Sequence, residues 1–349
     1  MQIKLLANWE SAVISTGALI QDAMESLNLS CAQIVLVADN DGRLVGTITD
    51  GDIRRAILNG CDVKSFAHQI MNEKPLVAPA CITKAAAFEL MKINKIRHLP
   101  KVNAAGAVNG LYTIELSYSP PTLDNELIIM AGGIGKRLRP QTNNCPKPML
   151  KVGGKPVLEL ILERALNAGI KKVTISVNYL RHMVEDYFGD GSAFGLDITY
   201  LREDKPLGTA GALSGLKISP TKPFFIMNGD LISEVNFQNL MDFHVSNGAD
   251  ATMTVRSHET QNPYGVVLTE GLKIVGFEEK PSYRANINAG IYVLNPSALK
   301  MLPKKQFFDM PNLVDRLLTL EKKVLAYSLH EPWIDIGNLK DLSTARKQA

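Results

Sequence analysis

The sequence has few cysteines and almost no net charge. Without a CxxC pair or a nearby histidine cluster, its four cysteines argue against a disulfide framework and a zinc knuckle and favour reduced thiols. They are Cys31, Cys61, Cys81 and Cys145. The 38 basic and 35 acidic residues are spread through the chain. No basic stripe is present, so a nucleic-acid partner is not indicated.

Long apolar runs are also missing. No stretch approaches the about 18 residues of a membrane-spanning helix, and the first ten residues lack the apolar core of a signal peptide. We therefore expect no membrane partner and a cytoplasmic protein. The apolar content of 46% and the charged content of 21% are typical of a globular protein, and 349 residues predict two or three domains.

An internal repeat occupies the first third of the chain. Residues 16–49 reappear in outline at 83–113, as an amphipathic segment followed by strand, turn and strand. In both copies two glycines are four positions apart, Gly42 and Gly46 in the first and Gly106 and Gly110 in the second. Three residues are missing between helix and strand in the second copy, which we interpret as a shorter loop in the same fold.

The first copy continues into the pattern G-x-x-T-x-x-D-I, formed by Gly46, Thr49, Asp52 and Ile53. This arrangement resembles a CBS domain, a module usually found as a tandem pair. The resemblance implies an α+β pair at residues 1–118, with copies at about 1–62 and 63–118. CBS pairs commonly associate in twos, so we expect a homodimer or a larger assembly.

The same resemblance implies a regulatory adenine nucleotide in the first copy. Thr49 and Asp52 would bind its phosphate or ribose, and the second copy has Leu116 where the aspartate should be. We therefore expect at most one good nucleotide site, whose ligand changes the activity of the rest of the chain. The alternative is that Asp52 only caps the following helix.

After a proline-containing segment at 119–126, which we predict to be a linker, the pattern changes. Short apolar strands alternate with helical segments, and this alternation predicts a mostly parallel sheet covered by helices on both faces. The predicted strands are 127–131, 173–178, 198–201, 224–228 and 251–255. We therefore predict an α/β, Rossmann-like mixed-sheet domain at 127–349.

A glycine-rich loop follows the first of these strands, where an α/β sheet binds phosphates. A Walker loop is excluded because Met130 and Arg137 occupy its required glycine and hydroxyl positions. A dinucleotide fingerprint is excluded because Leu138 replaces its third glycine, which counts against a dehydrogenase. Arg137 and Lys147 then supply two cations beside the loop.

The run MAGGIGKRLRPQTNNCPKPMLKVGGKPVLE closely resembles the signature of sugar-1-phosphate nucleotidyltransferases. The resemblance implies that backbone amides near Gly132, Gly133 and Gly135 cradle a nucleotide. It places Arg137 on the nucleotide phosphates and Lys147 on the α-phosphate and the sugar phosphate. Such a transfer gathers negative oxygens around one phosphorus, so catalysis relies on positioning and cations.

Two carboxylates complete the expected chemistry. Asp230 follows a buried strand in FFIMNGD, and Asp335 lies in WIDIG. Carboxylates from different strand ends can share one Mg²⁺, and the resemblance implies that this pair holds it. Taken singly, Asp230 could be a helix cap and Asp335 a turn residue.

The family's remaining motifs imply further contacts. Sugar and sugar phosphate would be bound at Tyr264, Gly265, Glu279, Lys280 and Asn288, and the nucleotide base at Glu203, Gly208 and Thr209. Lys136 and Gln141 depart from the common form of the signature and leave the base open. We favour GTP, because the order of domains resembles the glucosamine-1-phosphate guanylyltransferases of legionaminic acid synthesis. A mannose-1-phosphate guanylyltransferase fits equally.

The sequence thus predicts an enzyme that makes an NDP-sugar and pyrophosphate from an NTP and a sugar 1-phosphate, regulated by the CBS pair. Two alternatives stay open: a uridylyl- or thymidylyltransferase of the same family, and a catalytically silent nucleotide sensor.

Overall fold

The structure is a computed structural model that describes residues 2–30, 32–94, 96–115 and 123–348. It divides into two compact units, Met1–Ser119 and Pro120–Ala349. Leu116 and the first part of the predicted linker at 119–126 lie outside the described residues, and the limits of the domains stay a prediction. Within the described ranges, none of the helices combines the length and the apolar character needed to cross a bilayer.

The first unit is α+β, with two small sheets and three helices among its described residues. Its elements are β1 Gln2–Leu5, β2 Val13–Ser15, α1 Ile20–Ser30, β3 Ile34–Ala38, β4 Leu44–Thr49, α2 Asp50–Leu58, β5 Ala78–Pro79, α3 Lys84–Ile93, β6 His98–Val102 and β7 Val108–Glu115. A separate apolar core lies under each sheet, and a third cluster that includes Leu36 and Leu111 joins residues of the two copies.

The repeat seen in the sequence is present as a repeated topology. In each copy a short strand pairs in parallel with the first strand of an antiparallel hairpin, as β2–β3–β4 and as β5–β6–β7. Gly46 faces Val37 in the first hairpin, and Gly110 faces Lys101 in the second; each register shifts at the next residue pair. The strand β1 pairs with β7, so the beginning of the chain joins the sheet of the second copy.

The second unit is a three-layer α/β arrangement. Its strands are β8 Leu127–Met130, β9 Lys151–Val152, β10 Lys155–Pro156, β11 Lys172–Val177, β12 Asp197–Arg202, β13 Phe224–Asn228, β14 Leu231–Ser233, β15 Ala251–Gln261, β16 Val266–Glu270, β17 Lys273–Glu278, β18 Ser282–Leu294, β19 Val324–Ser328 and β20 Trp333–Asp335. Its helices are α4 Val157–Asn167, α5 Arg181–Phe188, α6 Gly208–Gly211, α7 Phe237–Ser246, α8 Met310–Thr319 and α9 Leu339–Gln348.

A mixed sheet of seven strands among the described residues organises this unit, in the order β12-β11-β8-β13-β18-β15-β19. The strands β12, β11, β8 and β13 are parallel, whereas β18 runs antiparallel to both of its neighbours. Alternate residues of β13 enter different cores: Phe225 packs on one face and Ile226 on the other. The predicted α/β fold with a mixed sheet is confirmed.

Glycine follows two helices of this unit. Gly169 follows α4 with φ of 84° and Gly248 follows α7 with φ of 57°. Side chains with a Cβ avoid this left-handed conformation, so glycine ends both helices. After these two helix ends, the chain enters β11 and β15 respectively.

Candidate active site

The glycine loop leaves the carboxyl end of the central strand β8. Gly135 has φ of 67° and precedes a short turn, Lys136–Leu138. The hydroxyl of Thr142 donates to the carbonyl of Gly135 at 2.8 Å, and Tyr179 donates in turn to the carbonyls of Thr142 and Asn143. Hydrogen bonds from the segment that leads to Lys147 therefore hold the loop in place.

Lys147 lies next to this loop and between two carboxylates. A Cβ on Gly135 would lie 3.2 Å from the Cβ of Lys147. The ammonium is ion-paired with Asp230, and its Nζ lies 3.9 Å from Oδ1 of Asp335. Only 11% of the Lys147 side chain is exposed, which makes the charge available to little except these carboxylates and a ligand. The expected cation and the expected carboxylate pair thus meet in one cluster.

Pairing between two short strands explains why these aspartates are close. The strands β14 and β20 are antiparallel, with Leu231 opposite Asp335. The amide of Ile336 donates to the carbonyl of Asp230 at 3.1 Å. Asp230 comes directly before β14 and Asp335 ends β20, so the pairing brings the two carboxylates to the same corner.

Arg137 reaches the same corner from the glycine loop. A Cβ on Gly337 would lie 3.7 Å from Nη1 of Arg137 and 3.7 Å from Oδ2 of Asp335, so the guanidinium and the carboxylate both lie beside this glycine. Burial, and next the negative charge of Asp230, raise the pKa of Asp335, while Lys147 and Arg137 oppose the shift. The side chain is 45% exposed, yet its Oδ1 is buried and accepts no hydrogen bond.

These residues fit a divalent cation of the Mg²⁺ type. Mg²⁺ prefers hard oxygen ligands, and it is commonly bound by one or two carboxylates together with water and substrate phosphates. Asp230 and Asp335 supply the carboxylates, and Oδ1 of Asp335 is a buried acceptor without a hydrogen-bond partner. In the described part of the chain, no group of three or more His, Cys, Asp or Glu residues forms a metal cage, so substrate and water would have to supply the other ligands.

Glu203 braces the loop from inside the protein. It is 7% exposed; Oε1 accepts from the hydroxyl of Ser176 at 2.6 Å and Oε2 from the amide of Leu207 at 2.9 Å. A Cβ on Gly132 would lie 2.5 Å from Oε1, so the loop can pass this carboxylate only with glycine at position 132. The geometry gives Glu203 a structural role in addition to any contact with the nucleotide.

Gly208 and Thr209 face the start of α8. A Cβ on Gly208, where φ is 79°, would lie 2.6 Å from Oδ1 of Asp309. The amide of Thr209 donates to the same oxygen at 2.9 Å, and its hydroxyl accepts from the amide of Met310 at 2.8 Å. These contacts explain glycine and threonine at the two positions as packing requirements.

The residues expected to bind the sugar fall into two groups. Tyr264, Gly265, Glu279 and Lys280 lie on the exposed arm around β16 and β17, where a Cβ on Gly265 would lie 3.1 Å from Glu279. Lys280 has φ of 44° and lies 3.8 Å from Glu279. In the described ranges, no hydrogen bond or ion pair joins these side chains to the cluster of Lys147, Asp230 and Asp335.

Asn288 belongs to the sheet instead, and its amide is already occupied. It donates to the hydroxyl of Tyr292 at 2.6 Å and accepts from the amide of Gly290 at 2.9 Å. Burial raises the pKa of Tyr292. A residue that the sequence reasoning missed, Asn228, lies against Gly290: its Oδ1 is buried and has no hydrogen-bond partner. A signal was available, because Asn228 is the polar residue that ends the apolar strand before Asp230.

In the first unit, Thr49 and Asp52 form a reciprocal helix cap. The amide and the hydroxyl of Thr49 donate to Oδ2 of Asp52 at 2.8 and 2.6 Å, and the amide of Asp52 donates back to the hydroxyl at 3.4 Å. Arg55 occupies the other carboxylate oxygen. The two residues therefore start α2, as the alternative interpretation of Asp52 predicted, and a nucleotide role would come in addition.

Comparison with known families agrees with this arrangement. Residues 126–349 match the nucleotidyl transferase family, and residues 8–59 match the CBS domain family. The chain belongs to the nucleotidyl transferase family. The predicted family and an N-terminal CBS domain are thereby confirmed, while the second CBS copy rests on the repeated topology alone.

Curated relatives within this family are mannose-1-phosphate guanylyltransferases. The chain is 36% identical over 224 residues to the catalytic subunit beta from Drosophila melanogaster, covering 62% of this chain and 60% of the relative. It is 35% identical over 228 residues to the mannose-1-phosphate guanyltransferase of Saccharomyces cerevisiae, covering 61% and 62%. The chain thus spans about three fifths of the length of these relatives.

Solved structures of lower identity share the fold. A putative glucose-1-phosphate thymidylyltransferase from Bacillus anthracis matches with a TM-score of 0.53 and 24% identity, over 64% of this chain and 94% of that one. HddC from Yersinia pseudotuberculosis, complexed with GMP-PN, matches with a TM-score of 0.50 and 23% identity, over 64% and 99%. These similarities support the nucleotidyltransferase fold of residues 126–349.

Proposed function

We propose that residues 126–349 transfer a nucleotidyl group from an NTP to a sugar 1-phosphate. An oxygen of the sugar phosphate attacks the α-phosphorus, the bond from that phosphorus to the bridging oxygen breaks, and pyrophosphate leaves, so no protein nucleophile is needed. The observation that carries the proposal is the sharing of the Lys147 ammonium by Asp230 and Asp335 beside a glycine loop.

The chain's own residues act by position and charge. Backbone amides of Gly132, Gly133 and Gly135 hold the phosphates, and Arg137 neutralises them from the end of the loop. Lys147 leaves Asp230 when an anionic substrate arrives and stabilises the oxygens that gather charge around the phosphorus. Positioning of the substrates, together with cations of this kind, supplies most of the rate acceleration in phosphoryl-type transfer.

A magnesium ion is part of the proposal. Asp230 and Asp335 would hold it, and when bound it would neutralise phosphate oxygens of both substrates. With their negative charge shared in this way, the two aspartates would not need Lys147 as their counter-ion, and its ammonium would be available to the substrate.

For the donor we propose GTP, and for the acceptor a hexose 1-phosphate. The names of the curated relatives favour guanylyl transfer to mannose 1-phosphate, and the order of domains favours glucosamine 1-phosphate. We place the sugar between Asn288 and the arm that carries Tyr264, Gly265, Glu279 and Lys280. Several of these side chains are exposed, and the bound sugar would cover them.

A substrate panel tests the proposal. Pyrophosphate release is measured with Mg²⁺ for GTP, UTP, dTTP, CTP and ATP, each with the 1-phosphates of mannose, glucosamine, glucose and N-acetylglucosamine. We expect GTP with one of the first two sugars to give the highest kcat/KM. Turnover with UTP or dTTP alone would replace guanylyl transfer by the alternative members of the family, and silence of the whole panel with nucleotide still bound would favour the sensor.

A second proposal concerns the first unit: an adenine nucleotide bound there changes the rate of transfer. A cavity of about 450 Å³ supports it, lined by Thr16, Gly17, Val45, Phe66, His68 and Met71. The rings of Phe66 and His68 stack with centroids 5.5 Å apart. An apolar cavity with stacked rings suits a purine base, and the helix start at Asp52 in the same unit would suit its ribose or phosphate.

Two variants separate binding from folding. A Cβ on Gly17 would have only Oγ of Ser15 nearby, at 3.9 Å, so Gly17→Leu is expected to fold while filling the cavity and abolishing binding of ATP and AMP in calorimetry. Asp52→Ala also removes the carboxylate that accepts from Thr49 in the reciprocal cap of α2, at a cost of about 1 kcal/mol. Absence of binding to the wild type would refute this second proposal without affecting the first.

A further inference from the structure

We propose that Arg256 is a positioning residue that fixes Asp335 in place for the divalent cation. The inference rests on the proposed function, because it concerns the metal that Asp335 would hold with Asp230. Arg256 belongs to none of the sequence motifs, yet its guanidinium makes two contacts with the segment that leads to Asp335. Its Nη1 donates to the carbonyl of Glu331 at 2.8 Å, and its Cζ lies 5.9 Å from the centre of the Trp333 ring.

The segment 329–335 connects the seven-stranded sheet to the strand β14. The strands β15 and β19 pair in parallel as far as Val255 and Ser328, and the amide of Leu329 donates to the carbonyl of Val255 at 2.7 Å. Arg256 is therefore the first residue of β15 beyond this ladder. It lies where the segment leaves the sheet on its way to β20.

The end of this segment needs support from outside its own strand pair. The strands β14 and β20 pair over three residues, and a two-stranded pairing of this length is weak by itself. The position of Asp335 therefore depends on the other bonds that hold the segment. The indole N–H of Trp333 donates to the carbonyl of Ala289 at 2.8 Å. The amide of Glu234 donates to the carbonyl of Pro332 at 2.9 Å.

An arginine can hold two points of the segment at once. Its guanidinium is planar and carries several N–H donors in a fixed arrangement, so it can lie over an aromatic ring while it donates to a carbonyl. Glu331 and Trp333 are two positions apart, and the same guanidinium contacts both. By restraining them, Arg256 limits the movement of β20 and thereby of Asp335 at its end.

Binding of Mn²⁺ without nucleotide tests the inference. The wild type, Arg256→Met and Arg256→Lys are titrated and followed by electron paramagnetic resonance. Arg256→Met keeps an unbranched side chain without charge or donors, and we expect it to bind Mn²⁺ about 10-fold more weakly, as when a group that orients a metal ligand is lost. Arg256→Lys keeps a charge and a donor, so its affinity should lie between those of the other two proteins.

The direction of the change separates positioning from electrostatics. Removing a positive charge from the protein favours the binding of a cation, so charge alone would make Mn²⁺ bind more tightly to Arg256→Met. Unchanged or tighter binding by this variant contradicts the inference and leaves the proposed function intact. If the wild type binds no Mn²⁺, with or without GTP, both the inference and the proposed metal site are wrong.

Turnover supplies a second readout. If Asp335 is misplaced in Arg256→Met, the Mg²⁺ concentration that gives half-maximal pyrophosphate release should rise by about 10-fold. The rate at saturating Mg²⁺ should approach that of the wild type, because excess metal compensates for the weaker site. A variant with a lower Tm and an unchanged Mg²⁺ requirement would show that Arg256 is merely structural, which would overturn the inference.

Arg284→Met is the matched control. Arg284 lies on β18, the antiparallel neighbour of β15, and its Nε donates to Oε2 of Glu259 at 3.1 Å. The control thus removes an arginine from the same pair of strands, at a position where its recorded partner is on the exposed half of β15. Its Mn²⁺ affinity and its Mg²⁺ requirement should equal those of the wild type. Equal weakening of Mn²⁺ binding in Arg256→Met and Arg284→Met would contradict a specific role for Arg256.

Discussion

The ammonium of Lys147 is ion-paired with the carboxylate of Asp230 and lies 3.9 Å from Oδ1 of Asp335. With Arg137 beside them, two cations balance two carboxylates, so the cluster is close to neutral before any substrate binds. A magnesium ion arriving alone would compete with Lys147, whereas one arriving with a nucleotide also brings phosphates that can take over the ammonium. We therefore expect metal and nucleotide to bind cooperatively.

Replacing Lys147 tests this competition. In Lys147→Met the two carboxylates lose their buried counter-ion, so Mn²⁺ should bind several-fold more tightly in the absence of nucleotide than it does to the wild type. Turnover should fall by about 100-fold or more, because the cation for the developing charge is gone. Titration followed by electron paramagnetic resonance measures the Mn²⁺ affinity, and pyrophosphate release measures turnover.

Lys155→Met is the matched control. Lys155 is also paired, with Glu163, but 47% of its side chain is exposed, and exposed pairs contribute little. Neither metal affinity nor turnover should change. An Mn²⁺ affinity that is equal in Lys147→Met and the wild type would contradict the competition.

The raised pKa of Asp335 predicts a pH-dependent stability. Burial and the charge of Asp230 favour the protonated form in the folded protein. The folded state therefore binds this proton more tightly than the unfolded state does. Its contribution to the free energy of unfolding is present below the ordinary aspartate pKa and is lost as the pH rises through the raised pKa.

The substitution Asp335→Asn should remove this loss of stability with rising pH. In metal-free buffer its Tm, relative to the wild type, should rise with pH across this interval and then level off at neutral pH, although the variant should have lost most of its turnover. Thermal denaturation at a series of pH values measures the difference. A difference in Tm that does not depend on pH would mean that the pKa of Asp335 is not raised in the folded protein.

The glycine loop gives a pair of variants that differ by one position. In Gly132→Ala the new methyl group would lie 2.5 Å from Oε1 of Glu203, and that carboxylate cannot move without breaking its bonds to Ser176 and Leu207. We expect a loss of about 1–3 kcal/mol in stability and a higher KM for the NTP. Gly133→Ala meets nothing within 4 Å, so its Tm should stay close to that of the wild type. Equal Tm values for the two variants would contradict the packing at Gly132.

Regular elements could be predicted from the sequence where local pattern decides them. The apolar runs at 127–131 and 224–228 match β8 and β13 to within a residue. The run at 251–255 predicts only half of β15, which continues to Gln261. The second half is polar and exposed, and it is a strand because it pairs with β18, a partner that is remote in sequence and that no local pattern indicates.

At the site, chemistry was easier to predict than hydrogen-bond partners. Asp230 and Asp335 are predicted from carboxylates at strand ends, and Lys147 from the family signature that follows the glycine loop; the structure brings the three together. The sequence could not show that Asn288 is already bonded to its neighbours while Asn228 is not, because partners depend on distances of a few tenths of an ångström. Motif membership identifies the residues around a ligand, but only geometry shows which polar atoms are free.

Glu203 shows most clearly the difference between what a motif identifies and what the hydrogen-bond geometry shows. Its two carboxylate oxygens accept from the hydroxyl of Ser176 and the amide of Leu207, and the side chain is 7% exposed. Glu203→Gln keeps the shape but replaces one acceptor by an NH₂ group, which would face one of these donors. We expect a loss of about 1–3 kcal/mol in the free energy of unfolding, measured in urea, because one buried donor loses its partner.

Glu163→Gln is the control for this change. Glu163 pairs with Lys155 at the surface, with 43% of its side chain exposed, and its replacement should cost less than about 1 kcal/mol.

The kinetics of Glu203→Gln separate a structural role from contact with the nucleotide. If Glu203 only braces the segment that leads to Gly208, KM should rise by a similar factor for GTP and for a poor NTP substrate. If the carboxylate also contacts the base, Glu203→Gln should change the ratio of kcat/KM between the two nucleotides.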